Sequence, residues 1–326
     1  MSRIVITGAS GFVGKALCKR FMADGHDVAG TIHSAKSSLA VPFGTKQVFV
    51  KDLASETDWS DALKNADIVV HLAARVHVMD DTASDPLVEF RKVNLQGTKR
   101  LAEAAMASGV KRFIYLSSIK VNGEATPMEA AFSENDKPQP GDPYGVSKLE
   151  TEEALRAMIG RSPMEIVIIR PPLVYGPEVA ANARRLFAAV YKNQPFPLAS
   201  VSNKRSLVYL GNLVDAITTC AFHPKAAGQL YLVSDGEDLS TPDLIRRIAD
   251  AFGGSTRLFH VPVGLMSFAA ALLGKRAMID RLTGSLRVDR SKITRELGWQ
   301  PPFTANQGIA ATAEWYLASI SQNKKP

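Results

Sequence analysis

The chain has 326 residues, 46% hydrophobic and 22% charged, a balance that supplies a large core and excludes global disorder. Thirty-nine Lys and Arg against 32 Asp and Glu give a formal charge of +7, which suits an anionic small ligand as well as an ordinary solvated surface. No basic run exceeds two residues, so nothing marks a nucleic-acid track. Cys18 and Cys220 are too far apart in sequence for a disulfide framework or a metal-ligand spacing, which predicts a reduced, cytoplasmic protein without a metal. The uncharged stretch Val261 to Gly274 has 14 residues, too few to cross a bilayer. The apolar run Ile4 to Ile6 stops at Thr7-Gly8 and makes no signal peptide.

In chain order, β-branched runs predict strands at Arg3–Thr7, Asp27–Ile32, Gln47–Val50, Ile68–Leu72, Arg112–Ser117 and Glu165–Arg170. Amphipathic segments predict helices at Phe12–Ala23, Asp58–Lys64, Leu87–Ala107 and Tyr144–Met158. Runs such as Ile68-Val69-Val70 are apolar on both faces, as in a parallel sheet covered by helices on each side. The alternation predicts an α/β fold, a Rossmann-type doubly wound parallel sheet of about seven strands over residues 1–175. Residues 176–326 are expected to form mainly a smaller C-terminal α/β substrate-binding lobe, with Leu230–Ser234 returning to the sheet as its seventh strand. Gly123 to Pro143, with four prolines, reads as a long functional loop.

The first strand runs into Thr7-Gly8-Ala9-Ser10-Gly11-Phe12-Val13-Gly14 and a helix. Gly8 permits the turn, Gly11 lets backbone approach a pyrophosphate, and Gly14 lets helix and strand pack closely, while Ser10, Phe12 and Val13 complete the cradle. No Asp or Glu occurs from Val28 to Lys51, where an acid would bind the ribose of NAD. His33, Ser34 and Lys36 there can donate to a 2′-phosphate, so the cofactor reads as NAD(P), tilted toward NADP(H), unless these are simply solvated loop residues. Tyr144 and Lys148 lie four apart on one helical face. A phenol of pKa about 10 needs a nearby ammonium and a helix N-terminus to act at neutral pH. Ser117 and Ser118 offer hydroxyls at the end of the fifth strand.

The Gly-x-x-Gly-x-x-Gly spacing, followed about 130 residues later by Tyr-x-x-x-Lys, resembles the extended short-chain dehydrogenase/reductases, the NAD-dependent epimerase/dehydratase family, over residues 3–300. The resemblance implies that Asp52 and Leu53 hold the adenine, that Leu72, Ala73 and Ala74 line the cofactor beside a positional His71, and that Asn94 orders backbone next to it. It selects Ser118, five residues before Gly123, as the catalytic hydroxyl, with Ser117 close to the cofactor. Tyr144 would move the proton, and Lys148 would lower its pKa and bind the nicotinamide ribose. Pro171 and Leu173 would meet the nicotinamide, Leu173 standing where relatives often carry Asn. Asn122, Asn182, Arg205 and Arg281, or Arg287 in place of Arg281, would bind a UDP-sugar. Ile119-Lys120 replaces the Asp-Glu of 4,6-dehydratases, which leaves that elimination without its acid and base. The reading that follows is a UDP-4-keto-6-deoxy-hexose 4-reductase of surface polysaccharide biosynthesis; the alternative is a UDP-glucose or UDP-GlcNAc 4-epimerase with bound NAD. A small-carbonyl reductase and a non-catalytic NAD(P)-sensing protein rank below both. Leu87–Ala107 and Tyr144–Met158 resemble the helices that pair in family homodimers, although their apolar stripes could equally pack on the sheet.

Overall fold

A computed structural model describes residues 1–76, 85–274 and 276–322. Its strands in chain order begin with β1 (Arg3–Thr7), β2 (Asp27–Ile32), β3 (Lys46–Phe49), β4 (Ile68–His71), β5 (Arg112–Leu116) and β6 (Glu165–Arg170). They continue with β7 (Leu173–Tyr175), β8 (Pro195–Phe196), β9 (Arg205–Tyr209), β10 (Leu230–Leu232), β11 (Asp238–Leu239) and β12 (Arg257–Leu258). The first half holds helices α1 (Phe12–Ala23), α2 (Ala35–Ala40), α3 (Ser60–Leu63), α4 (Pro86–Phe90), α5 (Thr98–Ala107) and α6 (Pro143–Arg156). The second holds α7 (Ala181–Tyr191), α8 (Leu210–Phe222), α9 (Thr241–Ala251), α10 (Val263–Leu272), α11 (Arg276–Thr283), α12 (Ser291–Leu297) and α13 (Ala305–Gln322).

Seven strands form one parallel sheet in the order β10-β6-β5-β4-β1-β2-β3. This is a Rossmann-type α/β fold. Within β1, Ile4 and Ile6 point to one apolar layer with Leu17 and Phe21 of α1 and Leu213 and Ile217 of α8. Val5 points to the other, with Leu101 and Ala105 of α5 and Leu155 of α6. Burial on both faces is why these strands carry unbroken apolar runs. The chain leaves β1 for β2 and β3 on one side and crosses to β4, β5 and β6 on the other, so a crevice opens beyond the ends of β1 and β4.

A second core packs Phe187, Leu207, Ile245, Ile248, Ile309 and Tyr316 in the C-terminal lobe, around the sheets β11-β9-β7 and β12-β8. β10 pairs with β6 at the edge of the main sheet. Two helices also join it: α8 and α12 place Leu213, Ile217, Ile293 and Leu297 in the main core. Other differences from the sequence reading are local. Asp58–Lys64 yields a single turn, α3. The short α2 forms because Ser34 and Ser37 close a capping box. Leu87–Ala107 is interrupted by a π-helical stretch, Arg91–Gly97, between α4 and α5. Gly97 is required there, because a Cβ would stand 2.9 Å from the Leu53 carbonyl carbon.

One buried ion pair joins α6 to the ends of β5 and β6. Arg170 donates to Glu152 from Nε at 2.8 Å and from Nη2 at 2.5 Å. Ser117 donates its hydroxyl to the same carboxylate at 2.6 Å, and Arg170 Nη1 donates to Asn122 Oδ1 at 2.8 Å. Removing one partner leaves an uncompensated buried charge. Glu152→Ala is therefore expected to cost about 3–5 kcal/mol, and Glu152→Leu combined with Arg170→Met to cost less than the two single changes summed; urea unfolding of the four variants checks both.

Candidate active site

The crevice beyond β1 and β4 is a cleft of about 710 Å³. Gly8, Ser10, Gly11, Phe12, Val13 and Gly14 line it from the β1–α1 turn. His33 follows from the end of β2, Asp52 and Leu53 from beyond β3, and Leu72, Ala73 and Ala74 from beyond β4. Ser117, Tyr144 and Lys148 close it. Gly11 is the N-cap of α1 and offers no side-chain cap, so the first-turn N–H groups and the positive helix end are left to a ligand's phosphates. Gly14 is required for the cradle: a Cβ there would stand 2.1 Å from the Gly8 carbonyl oxygen. These features fit a dinucleotide.

Its floor is held by a polar chain. Thr7 and His71 are register partners in β1 and β4. The Thr7 hydroxyl accepts from the backbone N–H groups of Leu72 and Ala73, each at 3.2 Å, so its own proton goes to His71 Nδ1 at 2.6 Å. Nε2–H of His71 then donates to Thr98 Oγ1 at 2.8 Å. Burial, with a further push from the Lys148 charge, lowers the His71 pKa to about 3. The ring is a neutral strut for the Leu72–Ala74 segment. Asn94 acts similarly from the π-helical stretch: Oδ1 accepts from Arg75 N at 2.8 Å, while Nδ2 donates to Arg75 O at 3.1 Å and Ser147 Oγ at 2.9 Å.

Asp142 caps α6, accepting from Gly145 N at 2.7 Å, with Pro143 as the first helical residue. Tyr144 therefore sits in the first turn and Lys148 one turn further along. The Ser118 hydroxyl acts on the Tyr144 phenol and favours its ionised form. Lys148 Nζ donates to Leu116 O at 2.9 Å and lies 5.8 Å from the Tyr144 ring centroid. Burial, reinforced by the Asp142 charge, pushes the Tyr144 phenol up to about 12 against the Ser118 hydrogen bond. Burial also pushes the Lys148 ammonium down to about 7, opposed by the Glu152 charge. In both groups desolvation by burial is the largest influence.

The family model described as "NAD dependent epimerase/dehydratase family" matches residues 4–234. The chain belongs to that family. UDP-glucose 4-epimerase of Vibrio cholerae is 45% identical over 317 residues, 96% of this chain and 95% of that protein. UDP-glucose 4-epimerase of Mycolicibacterium smegmatis is 30% identical over 96% of this chain and 98% of its own. The structure of UDP-glucuronic acid 4-epimerase from Bacillus cereus in complex with NAD shares the fold, with a TM-score of 0.78 at 22% identity over 97% of this chain and 99% of that one. As a family member the protein is an NAD(P)-dependent enzyme.

Several expected site residues have other duties. The Ser34 hydroxyl is committed to the capping box of α2. Lys36 lies in α2, with its side chain outside the described ones. Asn94 reaches the cleft only through Arg75. Pro171 is buried, with its carbonyl accepting from Ile119 N at 3.0 Å, and Leu173 is exposed at the start of β7; neither lines the cleft. Asn122 is buried, accepting from Arg170 and donating to Ser133 O at 2.9 Å, so its amide is not offered to a substrate. Arg205 donates to the carbonyls of Arg281 at 2.9 Å and Gly284 at 3.0 Å, which satisfies the end of α11. The Arg281 and Asn182 side chains are exposed, and Arg287 pairs with Asp238 at 2.7 Å.

The cleft also has walls that sequence reasoning missed, among them Thr31, Trp59, Arg75 and Val93. Glu152 was legible in part, since it follows Lys148 by four residues on the same face.

The shifted Lys148 predicts a pH signature. Its folded pKa, about 7, lies below the ordinary 10.5, so the unfolded chain binds more protons between those values and stability rises with pH across them. The penalty is complete below about 7 and gone above 10.5. Urea midpoints measured from neutral to alkaline pH should therefore rise for the wild type relative to Lys148→Met; a constant difference would contradict the assignment.

Proposed function

We propose that the protein is a UDP-hexose 4-epimerase that works with bound NAD. The observation that carries this is the 45% identity, along 96% of the chain, to the Vibrio cholerae UDP-glucose 4-epimerase. The 4-reductase that the sequence alone favoured is set aside. It rested on the missing acid after β2 and on donors for a 2′-phosphate, of which Ser34 also accepts from Ser37 N as the cap of its own helix. Dehydration has no more support, since the Lys120 ammonium is held by Asp142 and by Glu124 at 3.2 Å.

In this reading the glycine turn and the α1 N-terminus hold the pyrophosphate, Asp52 and Leu53 the adenine side, and Lys148 the nicotinamide ribose. Bound NAD supplies the acceptor and returning donor for the C4 hydride. Tyr144 takes the O4 proton and gives it back after the sugar has turned, while Ser118 hydrogen-bonds O4 in both orientations. Residues 176–326 supply most of the nucleotide-sugar site, with Asn182, Arg205 and Arg281 as its candidates. Arg205 can engage a diphosphate only by exchanging its α11 carbonyls for it. The proposal extends to a cytoplasmic homodimer paired through α4, α5 and α6, making precursors for surface polysaccharide.

Purified protein is expected to interconvert UDP-glucose and UDP-galactose without added cofactor, and Tyr144→Phe to lower kcat about 10²–10⁴-fold. Product analysis by mass spectrometry and chromatography checks this. Turnover confined to a 4-keto-6-deoxy sugar nucleotide with added NADPH would restore the reductase.

A further inference from the structure

We infer that the α10–α11 hairpin of the lobe is a docking surface for an anionic lipid bilayer. α10 buries Met266 and Ala270, and Met266 joins the lobe core. The opposite face is apolar and open. Leu265, Phe268 and Leu272 stand at i, i+3 and i+7 with 58%, 65% and 73% of their surface exposed, and Leu273 follows with 71%. Single exposed apolar side chains need no explanation, whereas a helical stripe of them marks a contact surface.

Length and charge select the occupant. No helix among the described residues is long and apolar enough to cross a membrane, and α10 spans only about 15 Å. Such a helix lies in the plane of the interface, with its apolar side among the acyl chains and basic groups at the headgroups. The basic groups are present. Residues 255–284 carry Arg257, Lys275, Arg276 and Arg281, with Asp280 their only acid. Arg257 and Arg276 are exposed and outside the proposed nucleotide-sugar site, and the Arg276–Asp280 contact is loose, at 4.0 Å. A second copy docking by two-fold symmetry would bring the same arginines toward one another. An anionic headgroup layer meets the apolar stripe and its positive flank together. None of these residues lines the dinucleotide cleft, so docking leaves the catalytic groups accessible.

The test is co-sedimentation of the full-length protein with phosphatidylglycerol–phosphatidylcholine vesicles and with phosphatidylcholine alone, at low and high salt. Binding is expected to the mixed vesicles, with a marked loss in high salt or without the anionic lipid. The double variant L265E/F268E should partition at least about 100-fold more weakly with its turnover unchanged, and Arg276→Gln about fivefold more weakly. Melting curves establish that the variants are folded, and Arg276→Gln carries the test should the double variant not fold. Failure of the wild type to sediment with mixed vesicles at low salt overturns the inference. So does undiminished binding by folded L265E/F268E and Arg276→Gln. Self-association in ultracentrifugation that L265E/F268E abolishes, without vesicle binding, assigns the face to a second copy instead.

Discussion

A single buried carboxylate sets the geometry on which the catalytic end depends. Glu152 has no exposed surface, yet it accepts hydrogen bonds from Ser117, from Arg170 and, at 3.0 Å, from Arg156. The first stands beyond β5, the second ends β6 and the third lies on α6 itself. Rotating α6 by one residue would swing Glu152 through about 100° and strand the Arg170 charge in the core. The helix therefore has one register against the sheet. Tyr144 and Lys148 precede Glu152 by two turns and one turn, so fixing that carboxylate aims both of them at the cleft beside Ser118. The same charge raises the Lys148 pKa against the larger effect of burial.

The opposite side of the cleft depends on neutrality. His71 lies between two threonines in a site that disfavours its charged form, and the hydroxyl on its Nδ1 side also holds the Leu72–Ala73 backbone. A protonated ring would need Thr7 to accept where it now donates, and the backbone grip would weaken. The sheet thus contributes an uncharged floor, and α6 a wall that carries the titratable Tyr144 and Lys148. Separating the two roles lets electrostatics change at Tyr144 and Lys148 without moving the turn that cradles a dinucleotide.

Much of this was legible in the sequence because its causes are local or periodic. Apolar runs mark the buried strands, and β1, β2 and β6 keep their expected bounds. The glycine turn, Tyr144 and Lys148 meet at one cleft because each lies at the end of a strand or the start of a helix. What escaped depends on partners distant in sequence. Asn122 looked available, yet Arg170, 48 residues away, takes its oxygen. Arg205 looked like a free clamp, yet carbonyls 76 and 79 residues further on receive it. The π-helical stretch follows from how Asn94 and Gly97 meet Arg75 and Leu53, which no helical periodicity encodes. Two-residue strands such as β8, β11 and β12 are too short to show a pattern.

The lobe's positive charge divides according to what each arginine faces. Arg205 directs one nitrogen at the carbonyls of Arg281 and Gly284, the negative end of α11, where a cation is favoured. Asn203 adds hydrogen bonds to Leu282 O at 3.2 Å and Gly284 O at 2.9 Å. The C-terminal end of the hairpin is thereby fastened to β9 and the segment before it. Arg257 and Arg276 have no such inward partner among the described residues and remain exposed, Arg276 at the start of α11. The inward arginine fixes how the hairpin is presented, while the outward ones set the sign of the surface that can cover it. A basic excess that composition alone could not assign therefore has two physical destinations within one lobe.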